Sequence, residues 1–144
     1  MKRVFSLIMA VCLMVCMAVP AFAAVDPPDS SPYGLTIQSS YLVPVTDSNR
    51  SDVLGDGTVR YDPATGTLTL DQADLTTILY EGTGDLKIHS IGGSRVDSID
   101  SDSACTVTLS GRFVDQIDYI GTLSNLIVAG SLDSAGILAA NALT

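Results

Sequence analysis

Beyond its first few residues this 144-residue chain holds one lysine and one histidine, and they stand two apart in "DLKIHS": Lys87 and His89. If Leu86 and Ile88 turn inward on a strand, Lys87 and His89 both turn outward on one face, because strand side chains alternate with period two. A lyase acting on uronate polymers needs such a base to take the proton α to a carboxylate, and cations to acidify it. Arg95 and Arg112 are candidates to stand on nearby segments. The same residues serve equally well as solvated charges that keep an acidic protein in solution. Partners are too few for a Ser-His-Asp or Cys-His set, and no Gly-rich phosphate loop or metal-spaced His/Cys pair occurs.

"RVDSIDSDSA" places Asp97, Asp100 and Asp102 around one turn. Hard cations such as Ca2+ take several carboxylate and carbonyl oxygens, so these three are the candidate metal ligands. Their spacing is not that of an EF-hand loop. Aspartate also favours turns for conformational reasons, since its side chain satisfies nearby backbone donors. A second acidic turn, Asp52 and Asp56 beside Gly55 and Gly57, reads as structural.

Sugars are commonly held against flat aromatic faces. The chain has no tryptophan, which leaves Tyr33, Tyr41, Tyr61, Tyr80 and Tyr119. Tyr61 is expected to pack in a hairpin. Tyr80 and Tyr119, with Lys87, are the candidate ligand-binding residues. Thr67-x-Thr69 and Thr106-x-Thr108 hint at a threonine ladder of the ice-binding kind, but Asp85-x-Lys87 and Asn125-x-Ile127 break it.

These side chains need a scaffold. Met1-Lys2-Arg3, an apolar run from Val4 to Val19 and an Ala21-Phe22-Ala23 site predict a signal peptide over 1–23, hence a secreted, extracellular or cell-surface protein. Its removal takes the net charge from −9 to −11, because two basic residues leave and all sixteen acids stay. Such a surface disfavours nucleic acid and anionic membranes, and the mature chain offers no membrane-inserting segment. Cys12 and Cys16 leave with the signal, so Cys105 has no disulfide partner and stability must come from packing or metal. Residues 24–32 form a Pro/Ser-rich spacer.

Residues 33–66 read as an N-terminal β segment. Tyr33 to Ile37 alternates as a strand, and Tyr41 to Val45 is a second one that Pro44 would confine to an edge. Asp62-Pro63-Ala64-Thr65-Gly66 reverses the chain into Thr67-Leu68-Thr69-Leu70, a hairpin that would seed the stack of later strands. From 67 to 144, "TLTL", "DLKI", "TVTL" and "NLIV" recur every 18 to 21 residues, led by Leu68, Leu86, Val107 and Leu126. Ile78, Val96, Val114 and Ile137 mark a second strand family between them. A period near twenty residues without helical spacing predicts stacked β-coils, with Leu68 over Leu86 over Val107 over Leu126 as a core column. A meander or sandwich of antiparallel hairpins is the competing architecture.

"YGLTI…VTDSNRSDVLGDGTVRYDPATGTLTLDQA" resembles the leading segment of a group of exported bacterial carbohydrate-binding-domain proteins. The match is dense from Asp52 to Leu70 and thins to a rung pattern beyond. The resemblance implies an all-β chain, a short right-handed parallel β-helix like that of pectate lyases behind a small hairpin segment, associated with calcium and plant cell-wall polysaccharide. The expected function is thus a non-catalytic, exported polysaccharide-binding module, calcium-assisted, at or near the cell envelope, with a plant cell-wall or acidic glycan as partner. Two alternatives stand beside it: a structural or adhesion module with a protein partner, and a pectate-lyase-like enzyme. Relatives are often longer, and the bare ending Asn141-Ala142-Leu143-Thr144 raises end-to-end self-association of a truncated stack.

Overall fold

The computed structural model describes residues 30–121, 124–133 and 137–139. The signal segment, most of the spacer and the last residues, where end-to-end pairing was expected, lie outside these. The described chain is all-β, a parallel β-solenoid of about three turns.

The first side of the coil is built from β4 (Thr67–Asp71), the start of β6 (Leu86–Ser101), the start of β7 (Thr106–Val114) and β9 (Asn125–Val128), all parallel. A second side joins β5 (Asp74–Tyr80), the end of β6, β8 (Ile117–Ile120) and β11 (Ile137–Ala139), again in parallel. Between them a short third side pairs Ser94–Arg95 of β6 with Phe113–Val114 of β7, and β7 in turn with β10 (Ser131–Asp133). Corners need backbone that turns outward from the strand, and they are where positive φ concentrates: Gln72, Gly92, Gly93, Gly111 and Asp115.

Alternation fills the interior. Leu86, Val107 and Leu126 stand in register and are fully buried, as do Leu68, Ile88 and Leu109. The expected column is thus corrected at its first step: Leu68 pairs with Ile88, and Gly66 accepts the Lys87 N–H from the place beyond Leu86. The hairpin turn still occupies that place, so β4 starts two residues late. A shift of two preserves the inward side, and the core survives it. The second family is also corrected. The buried column is Ile78–Ile99–Tyr119, while Val96 pairs with Leu75 and Val114 lies half-buried on the short third side. "RFVDQIDYI" straddles two sides because Asp115 turns a corner inside it, at φ 68°.

The N-terminal segment closes one end of this stack and shares its core. β1 (Leu35–Gln38) lies antiparallel on the outer edge of β5, Leu35 opposite Tyr80 and Ile37 opposite Ile78. β3 (Val59–Asp62) lies antiparallel on β4, Tyr61 opposite Leu68. β2 (Leu42–Pro44) pairs with β1 alone, an edge strand carrying proline where a donor would invite further pairing. The hairpin predicted at Asp62–Gly66 therefore forms, and it caps the coils as well as starting them.

Candidate functional site

The outer surface of the first side is a four-stranded parallel face extended by antiparallel β3. Directly opposed residues point the same way, so register reads out its surface row by row. One row runs Arg60–Thr69–His89–Ser110 and the next runs Asp62–Thr67–Lys87–Thr108–Ile127. Neighbouring strands are about 4.8 Å apart, so each row presents polar groups at that interval, the second ending in the exposed Ile127. His89 Nδ1 lies 2.9 Å from Ser110 Oγ.

The cations here differ from those elsewhere. Arg50 faces Asp47 across 3.7 Å, and Arg95 is 3.0 Å from Asp97 and 3.4 Å from Asp115. Among the described residues neither Arg60 nor Lys87 is ion-paired, and both are exposed. An acidic chain thus gathers its one central histidine and two uncommitted cations on a face otherwise lined by hydroxyls. Acids stand at its margins, with Asp62 held inside the hairpin turn by Ala64 N–H and the Thr65 hydroxyl. Those two donors, the hydroxyl first, hold the Asp62 carboxyl below its usual range.

The His89–Ser110 pair is a hydrogen bond on the exposed face of the sheet. β7 is paired on both edges along this stretch, so the backbone N–H groups near Ser110 point into the ladder. Thr69, on the far side of His89, supplies no carboxylate to orient the ring.

The structure places the other predicted residues differently. Tyr80 and Tyr119 are 3% and 0% exposed, which corrects their assignment as sugar platforms. Each ring packs inside the coil while its hydroxyl reaches the following turn: Tyr80 donates to the Gly84 carbonyl at 2.7 Å, and Tyr119 shares a hydrogen bond with Ser124. An amphipathic ring with a polar tip closes a corner this way. The tyrosines within reach of a ligand are Tyr33, half-buried, and Tyr41, 63% exposed. Lys87 stands on the face where alternation put it.

Asp97, Asp100 and Asp102 do point outward, but they do not converge. Asp97 is tied to Arg95 on its own strand, Asp100 stands half-buried between Leu79 and Ile120, and Asp102 lies in the link beyond. Among the described residues no three His, Cys, Asp or Glu side chains are grouped to hold a metal ion. Their spread along an extended strand, where a tight turn was expected, is the physical reason. Arg60 was missed because its place on this face follows from the hairpin register, which sequence spacing alone does not link to His89.

No protein-family model, curated protein or solved structure matches this chain.

Proposed function

We propose that this chain is a non-catalytic, exported polysaccharide-binding module, working at or near the cell envelope, which holds an anionic glycan on the outer face of its first side. The observation that carries the reading is the pair of cations, Arg60 and Lys87, not ion-paired among the described residues, flanking His89 on a hydroxyl-bearing sheet face of an otherwise acidic protein. Fixed rows at strand spacing suit an extended polymer, whose repeated carboxylates meet Arg60 and Lys87 while its hydroxyls meet Thr67, Thr69 and Thr108. Arginine offers a planar fork to a carboxylate and lysine a point charge, so the two act as complementary anchors. Calcium enters as a bridge between the acidic flanks and the polymer.

The test is retention of the protein on immobilised polygalacturonate, xylan and cellulose, with and without calcium. Retention on the anionic polymer and its loss in Arg60→Glu/Lys87→Glu is the expected result. Equal retention of that variant overturns the assignment of the face. A structural or adhesion role with a protein partner draws on one separate observation: Leu42, the first residue of the edge strand β2, and Tyr41 just before it are 61% and 63% exposed.

A further inference from the structure

A cleft of about 660 Å³ opens where the turn before β4, the link between β5 and β6, and the entry to β1 meet. It lies within the size range of small-molecule sites. One wall carries the half-buried Tyr33, whose ring is backed by that of the buried Tyr61, centroids 5.1 Å apart and tilted at 55°. The Tyr33 hydroxyl donates to Asp47, which fixes the ring at the entrance. The opposite wall is Glu81-Gly82-Thr83-Gly84-Asp85, with the backbone of its two glycines bare of side chains. Space there is tight by construction, since a Cβ on Gly82 would lie 2.5 Å from the Tyr80 ring, and one on Gly34 would lie 2.5 Å from Gly82 N.

The chemistry of the lining is one-sided. None of the described lining residues is basic. Glu81 is exposed and its carboxylate has no partner among the described residues, while Asp85 uses one oxygen to accept the Thr106 N–H at 2.8 Å. The cleft therefore offers aromatic surface, backbone groups and hydrogen-bond acceptors, and it repels anions. A ligand must bring several donors, a flat apolar patch and no negative charge. Sugar rings without carboxylates meet all three conditions, their C–H faces lying on tyrosine and their hydroxyls donating to carboxylates.

From this geometry we infer that the cleft is a second glycan site, separate from the cationic face, which takes a neutral pyranose unit. The two sites have opposite charge preferences, so the chain can hold a neutral and an anionic stretch of saccharide together. Such paired engagement raises retention on mixed polymers well beyond either site alone.

Amide-resolved NMR titration of the protein with cellotetraose, xylotetraose and digalacturonate tests this. A neutral tetrasaccharide should move the Gly82 and Gly84 amides saturably, and digalacturonate should not. Tyr33→Ala should weaken that response at least tenfold, and so should Glu81→Lys, a change at an exposed side chain. Arg60→Glu/Lys87→Glu should leave it unchanged, which separates this site from the anionic face. The inference is overturned if neither neutral sugar moves Gly82 and Gly84, if Glu81→Lys binds as well as the parent, or if tetramethylammonium alone moves these amides.

Discussion

Gly111 lies directly beside Ser90 of the preceding coil, so close that a Cβ at position 111 would sit 2.0 Å from the Ser90 carbonyl oxygen. The Ser90 hydroxyl donates across the same corner to the Arg112 carbonyl, and accepts from Ser94 N–H at 3.0 Å. Gly111 also holds φ at 86°, which an L side chain resists. Gly130 repeats the approach one coil on, 2.4 Å from the Gly111 carbonyl oxygen by the same measure. Gly111→Ala therefore meets both a clash and a disfavoured dihedral. Its cost is expected at about 2 kcal/mol or more, read as a lower urea midpoint.

Leu109 is 1% exposed and stands between Ile88 and Val128 in an interior column. Leu109→Ala removes buried methyls from a stack that cannot close around the gap, and is expected to cost about 2–5 kcal/mol in chemical denaturation. Thr108→Ala, one residue away and outward, should stay within about 0.5 kcal/mol.

Two carboxyls predict the acid limb of stability. The Thr58 hydroxyl and then its backbone N–H hold the Asp56 carboxyl below its usual range, as Thr65 and Ala64 do for Asp62. A depressed folded value means stability present above the unfolded carboxylate value near 3.9 and lost as pH falls through the folded one. Asp56→Asn/Asp62→Asn keeps acceptors in both turns but removes the titration. Its thermal midpoint should fall less steeply than that of the parent between about pH 4 and pH 2.

At the other limb, burial raises the phenol of Tyr119, and likewise that of Tyr80. A raised folded value means stability held below the ordinary phenol range near 10 and lost as pH rises through the folded value. Tyr119→Phe should flatten the alkaline fall in the thermal midpoint, at the expense of its hydrogen bond to Ser124 at neutral pH.

Binding to the cationic face should weaken with salt. Arg60 and Lys87 are exposed, so their attraction for a polymer carboxylate is screened over about 10 Å at 0.1 M ionic strength. Retention on polygalacturonate should decline steadily with sodium chloride, and Lys87→Ala should reduce the slope while leaving the urea midpoint unchanged.

Period-two alternation and the twenty-residue repeat foretold the solenoid and the outward Lys87 and His89, and proline and turn chemistry foretold the edge position of Pro44 and the reversal at Asp62–Gly66. These are local properties of one strand or one turn. What escaped was cross-coil. Register moved by two at Leu68 because a turn residue filled the place beyond Leu86, and no residue type announces that. Tyr80 and Tyr119 look like platforms in one dimension; only the corner that each hydroxyl closes reveals them as interior. Arg60, twenty-nine positions before His89, joined the face through its antiparallel partner Thr69.

The antiparallel strands laid over one end give the stack a polarity. Duplicating a coil's worth of sequence downstream, for example residues 86–106, the step that brings Val107 over Leu86, leaves the lid on β4 and β5 untouched and lengthens the rod by one strand spacing, about 4.8 Å. Inserting the same residues upstream of β4 would part the lid from the edges it covers. Length is thus a free variable of this architecture on one side only, and a graded series of longer rods, each with the rows of its cationic face extended by one residue, can be built from it by gene duplication in the laboratory.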